Sequence, residues 1–269
     1  RRTPEAGSRT SDFTTTLFHL VGGLRGDVTD SIGWEVSGSY GESEQIQRQG
    51  GFARFDRLQQ SLIAIPDGAG GVQCSDSSGG CAPINLFGPL GDLGSQEAID
   101  YVFNLTQQVI TQASLTQAQA IIDGDLGFGI SASPISFALG AEYRKYTATR
   151  LSDEASQTPG AVVGGGGAAP DINGSYNVKD FFAEVAIPVI EDSFVRDLTL
   201  EAGGRYSDYS TAGGEFTWKV GGTLTPIDGI TYRGNYQRSS RAPNIGELFT
   251  PVVTQLSNLA VDPCAGTNR

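Results

Sequence analysis

Few residues in this chain stand at spacings that do chemistry. His19 is the sole histidine and lies in a strand-like run, so it supplies neither a His-based acid–base pair nor a His-rich metal site. Cys74 and Cys81 lie seven residues apart in a polar, Gly-rich stretch. A zinc site would want two-residue spacing and further ligands, so the pair reads as a disulfide formed in an oxidising compartment. Cys264 has no partner nearby in sequence. Gly164-Gly165-Gly166-Gly167 lacks the Lys-Ser/Thr that follows a phosphate loop and reads as flexible linker. Asp123-Gly124-Asp125 lacks the later ligands of a calcium loop. Glu142 and Glu184 are a formal acid–base pair, but nothing sets them apart from the other charges of their strands. The residues point to no enzyme, no metal and no cofactor.

The elements that hold these side chains alternate with period two. Over residues 32–40, Ile32, Trp34, Val36 and Tyr40 share one face, opposite Gly33, Glu35, Ser37 and Ser39. The pattern returns over 135–143, 179–187, 198–206, 216–224 and 230–237, with weaker runs at 14–25 and 117–128. That makes about eight strands, many near the 9–11 residues that cross a tilted bilayer. Their polar faces hold Glu35, Glu142, Arg144, Glu184, Glu201, Arg205, Lys219 and Arg233. Such charge is costly in a packed core but suits a wet lumen. Aromatic residues lie near the ends of the apolar faces, as at Trp34, Tyr40, Tyr143, Tyr206, Phe216 and Tyr236, where a membrane barrel carries its girdles.

The connections sort into two kinds. Those at 27–30, 129–134, 188–197 and 226–229 are short or turn-rich, whereas the alternate ones include 42–116 and 152–177, which are long, polar and Gly-rich, and the tight 211–214. Long loops at one rim and short turns at the other are the barrel arrangement. Within the first long loop, 95–109 has helical spacing, with Ser95 as its cap and an apolar stripe through Ala98, Ile99, Val102, Phe103, Leu105 and Val109. The expected fold is therefore all-β: an antiparallel transmembrane β-barrel segment with long extracellular loops, 42–116 foremost, and a short loop helix.

Composition agrees. The 269 residues carry 18 Lys+Arg against 30 Asp+Glu, a net charge of −12, which disfavours a nucleic-acid partner. Apolar runs fall far short of the ~20 residues of a transmembrane helix, which says nothing against strands. The chain has no Met, opens on Arg1-Arg2-Thr3-Pro4 and closes on a Cys-bearing loop. It reads as an internal segment of a longer polypeptide.

Arg241-Ala242-Pro243, followed after three residues by Glu247-Leu248-Phe249, resembles the barrel motif of TonB-dependent outer-membrane receptors. Ala141-Glu142-Tyr143-Arg144, Phe182-Ala183-Glu184, 204–210 and 81–88 are similar to further pieces of that family, so the resemblance covers nearly the whole chain. It implies a Gram-negative outer membrane, a barrel of 22 strands, an N-terminal plug domain that TonB contacts, and import of a scarce small-molecule nutrient such as a ferric siderophore, a corrinoid or an oligosaccharide. This chain, with about eight strands and no plug, would be 1–269 of a partial barrel domain, with outer-membrane lipid as its neighbour. A passive porin and a secreted β-sandwich binding module are the alternatives.

Overall fold

The computed structural model describes residues 2–165 and 167–253; Cys264 lies outside the described residues. After a 3-10 turn at Pro4–Ala6 come β1 (Thr10–Thr29), β2 (Ile32–Arg54), α1 (Phe55–Leu62), β3 (Ala64–Pro66), β4 (Val72–Cys74), α2 (Gln96–Phe103) and β5 (Leu105–Asp125). Then follow β6 (Ser136–Ser152), α3 (Glu154–Gln157), β7 (Val162–Val163), β8 (Ile172–Glu191), β9 (Asp197–Tyr209), β10 (Gly213–Ile227), β11 (Ile230–Arg238) and α4 (Ile245–Phe249). The long strands form one antiparallel sheet in the order β1-β2-β5-β6-β8-β9-β10-β11, with β7 added against β2 and β3-β4 as a separate hairpin. The sheet is open, with β1 and β11 at its edges. Each long strand pairs with the next long strand in sequence, so no crossover is needed and turn length alone sets the layout.

The connections at 30–31, 126–135, 192–196 and 228–229 lie along one rim, and those at 55–104, 153–171 and 210–212 along the other. The short rim is tied internally: Ser133 donates to the Glu191 carboxylate from its backbone N–H (2.8 Å) and its hydroxyl (2.6 Å). The structure corrects the loop boundaries expected from sequence. Residues 42–54 and 105–116 are strand, paired in register from Glu42↔Ser114 to Gln49↔Gln107. They were illegible because Glu42, Ser43, Glu44, Gln45, Gln107 and Gln108 make both faces polar, which leaves no period-two signal. The first long loop is thus 55–104 and the second 153–171, since β8 begins at Ile172. Likewise the loop helix is Gln96–Phe103, and Val109 belongs to β5. Strands of 20–23 residues are about twice the length that crosses a tilted bilayer.

The packed core sits at the long-loop rim rather than between layers. Ala53, Ile84, Leu93 and Val102 are buried together, with Leu58, Ile99, Phe103 and Val163 packed against them. The α2 helix forms because Ser95 accepts from Ala98 N–H at 3.3 Å, Glu97 lies in the first turn, and Ala98 and Val102 fall one turn apart on the buried face. The second loop locks on through β7, whose Val163 and Val162 pair with Ala53 and Arg54. Arg9 closes the junction from the other side, donating to Val163 O (3.1 Å) and Gly164 O (3.3 Å) with its guanidinium over the Phe52 ring. Just before, the β2 register shifts between Gln49 and Phe52. Gly51 holds φ at +78° there, and a Cβ would meet Ser8 O at 2.7 Å, so only glycine fits this bulge.

Cys74 and Cys81 form a disulfide that staples β4 to the segment entering the rim core. Unreduced native protein should therefore take up no alkylating label at either position by mass spectrometry. The C74S/C81S double variant should lose about 2–3 kcal/mol, the loop-entropy value for so short a ring. The loss should appear as faster amide exchange in α1 and α2, with β5 to β10 unchanged.

Candidate functional site

Pairing register decides what each face of the sheet carries, because residues directly opposite share a face. Glu142 lies opposite Gln119 and Asp180; Arg205 lies opposite Phe182 and Thr217; Lys219 lies opposite Gly203 and Gln237. Following this parity across the ladder puts Glu35, Glu142, Arg144, Glu184, Glu201, Arg205, Lys219 and Arg233 all on one face. The other face carries Trp34, Tyr40, Tyr143, Phe181, Tyr206, Phe216 and Tyr236 by the same parity. Phe181 is 63 % exposed although its strand is paired on both sides, while its neighbour Asp180 is 1 % exposed. That inverts the preference of a water-soluble sheet, where the aromatic ring is covered and the carboxylate solvated.

Asp180 is the hub of a four-charge cluster spanning β6, β8 and β9. Arg144 pairs with it at 2.8 Å and Arg205 at 3.5 Å, and the Ser207 hydroxyl donates to it. Glu142 takes Arg205 at 3.1 Å, Arg144 at 3.5 Å and the Gln117 amide at 2.6 Å. Two guanidiniums and two carboxylates thus alternate with no net charge. Stacking fixes the Arg205 plane, 4.7 Å from the Phe182 ring centroid. Above the cluster, toward the long-loop rim, Arg144 donates to Tyr146 (3.2 Å), and Tyr146 stacks on Tyr176 with centroids 5.0 Å apart. Lys219 and Glu184 pair separately at 2.9 Å. Glu35, Glu201 and Arg233 make no ion pair among the described residues, although Glu35 lies opposite Arg25 in the ladder. Sequence reasoning did not single out Asp180, Tyr146 or Tyr176. The same alternation that placed Glu184 on the polar face also places Asp180 there.

The strand-following motif folds into a self-contained turn. Asn244 caps α4, accepting from Glu247 N–H at 2.9 Å, while the Glu247 carboxylate accepts Asn244 N–H at 2.8 Å, a reciprocal capping box. Arg241 grips the same carboxylate with two parallel bonds of 2.9 Å each. Pro243 fixes the chain entering the cap. Ala242 and Leu248 are half-buried, and the Phe249 ring fills the space a Cβ would occupy on Gly174. Gly174 shares the parity of Asp180, so the motif docks on the charged face of β8. Arg241 and the Asn244 N–H hold the Glu247 carboxyl down to about 2. No group of three or more metal-ligating side chains occurs among the described residues.

A long antiparallel meander, apolar and aromatic on one face and charged on the other, with its packed lobe at a single rim, defines the wall of a membrane β-barrel. The TonB dependent receptor-like β-barrel family model matches residues 2–267, and the chain belongs to that family. These are outer-membrane receptors that act as transporters. No curated protein and no solved structure matches the chain.

Two consequences can be measured. The Asp180→Ala substitution leaves Arg144 and Arg205 sharing the single Glu142 carboxylate and should cost about 2–3 kcal/mol, read as a lowered urea midpoint of the detergent-folded receptor, with Asp180→Asn costing less. Glu247 has a depressed carboxyl, so its contribution is complete above the ordinary value of about 4.3 and is lost as the pH falls toward 2. Amide exchange over 245–249, corrected for intrinsic rate, should accelerate only below pH of about 4, and Glu247→Gln should abolish that acid step.

Proposed function

We propose that this chain, residues 1–269, is part of the barrel wall of a TonB-dependent receptor in a Gram-negative outer membrane, completed by further strands and a plug domain. Its aromatic face meets lipid and its charged face lines the lumen. The rim formed by 55–104 and 153–171 is extracellular. The whole receptor binds a scarce nutrient, a ferric siderophore, a corrinoid or an oligosaccharide, and imports it with energy that TonB delivers through the plug. The observation that carries this reading is the inversion at β8, where Phe181 is exposed and Asp180 buried. Only a hydrocarbon solvent outside and a polar interior make that arrangement favourable. The open edges at β1 and β11 support it further, because unpaired strand edges are not tolerated in lipid.

Uptake in the source cell tests the proposal. An iron-59-loaded hydroxamate siderophore, cyanocobalamin and a radiolabelled maltooligosaccharide would be offered to cells with the gene intact, deleted and restored, each with and without a protonophore. The expected result is uptake of one of them that requires the gene and stops with the protonophore. Gene-dependent uptake that persists with the protonophore would instead assign a passive porin, and no gene dependence for any of the three would overturn import of these nutrients.

A further inference from the structure

The aromatic face of the sheet also carries two cations. Strand parity puts Lys145 and Lys179 there: Lys179 lies directly opposite Tyr143, and Lys145 stands two residues beyond Tyr143 toward the long-loop rim. Because Lys145 faces Asn177, the two lysines are diagonal neighbours on adjacent strands, with backbones about 7–8 Å apart. Both are exposed, and neither side chain has an ion-pair or hydrogen-bond partner among the described residues. Asp208 is the carboxylate directly opposite Lys179, and the two do not form an ion pair. Glu42, farther along the same face, is already held by the Tyr40 hydroxyl (2.6 Å) and the Gln112 amide (2.7 Å). The patch therefore keeps a net positive charge. Ammonium groups without a counter-charge are costly at the margin of hydrocarbon, and they bind phosphate as point charges.

Toward the short-turn rim the same face opens a groove of about 450 Å³, lined among others by Leu139, Ala183, Ala202, Gly204, Phe216 and Trp218. Its floor is low because Ala183 and Gly204 lie opposite each other on β8 and β9, with Ala202 in the next row. Its wall is high because Phe216 and Trp218 follow on β10. The Phe216 ring leans over Gly204, where a Cβ would meet the ring edge at 3.1 Å. Trp218 is held against Tyr236, with ring centroids 5.6 Å apart. Glu184 and Lys219 also border the groove, but their side chains pair with each other at 2.9 Å on the charged face, so the groove offers carbon to its occupant. Along β8, Ala183 is four residues from Lys179, a rise of about 13 Å. A free phosphate would use only the lysines, and a bare hydrocarbon only the groove. A molecule with an anionic head and an acyl chain uses both.

We propose that this wall holds one anionic lipid in a defined place, its phosphate on Lys145 and Lys179 and one acyl chain in the groove over Ala183, Gly204 and Ala202. The site rests on the reading of the aromatic face as the one that meets lipid. The full-length receptor, stripped of lipid in dodecyl maltoside, would be titrated with dimyristoyl phosphatidylglycerol, dimyristoyl phosphatidylcholine and glycerol 3-phosphate. Native mass spectrometry would count what stays bound, and heat-modifiable migration would check the fold of each variant. Phosphatidylglycerol should be retained about tenfold more tightly than phosphatidylcholine, the scale of two lysines at a lipid surface, and glycerol 3-phosphate should be lost. The double variant K145Q/K179Q should erase the preference, K145R/K179R should keep it, and Asp208→Asn should strengthen it. Filling the groove with A183L/A202L should weaken retention of both lipids. Equal retention of the two lipids, a preference unchanged in K145Q/K179Q, retention unchanged in A183L/A202L, or glycerol 3-phosphate held as tightly as phosphatidylglycerol would each overturn the site. Quenching of Trp218 by bilayers of dibrominated phosphatidylcholine, taken as the difference from Trp218→Phe, tests the facing separately. Quenching without a phosphatidylglycerol preference refutes the site alone, whereas no quenching refutes the facing and the site together.

Discussion

Everything in this molecule depends on the register of one hydrogen-bonded ladder. Side chains alternate strictly along a strand, so a slip of one residue would carry Phe181 to the charged face and Asp180 to the apolar one. Eight strands in succession keep the same parity. The buried charge cluster reinforces it, because Glu142, Asp180 and Arg205 meet only when three neighbouring strands are in phase. The ladder also explains why the sheet needs no second layer. In a sandwich the apolar face is covered by protein, whereas here Phe181, Leu139, Leu200 and Val220 are all exposed among the described residues.

Charge in the wall is organised rather than scattered. A lone carboxylate as buried as Asp180 is costly. Two arginines, a serine hydroxyl and the alternation with Glu142 satisfy its lone pairs and cancel its charge locally. Ion pairs of this kind are a weak source of stability compared with apolar packing and a strong constraint on arrangement. In the wall their value is to leave a polar face whose charges are already paired.

What the sequence disclosed follows the same division. Strands with one apolar face were legible: 32–40 and 179–187 fall inside β2 and β8, and the separation of Trp34 from Glu35 onto opposite faces is the one the register imposes. Where both faces are polar, as along 42–54 and 105–116, the strand is set by backbone pairing with neighbours, which no local pattern records. The helix cap at Ser95 was readable because its signal is local; the helix end at Phe103 was not, because the apolar stripe runs on into β5. The Arg241–Glu247 motif could be recognised by its spacing. That Phe249 rests on Gly174, and that Asp180 rather than Glu184 is the hub of the charged face, required contacts between residues distant in sequence.

The rim core has a bearing on the order in which the chain assembles. Its residues come from the end of β2, from the first loop and, through Val163, from beyond β6. The disulfide ring is local and can close as soon as its own short segment is made, but the core around it is complete only after the β5–β6 hairpin has delivered Val163 to Ala53. Contacts so separated along the chain form late. The rim lobe therefore matures behind the wall that carries it, and a wall laid down out of register would leave the lobe unsealed: its state reports whether the strands next to it were paired correctly.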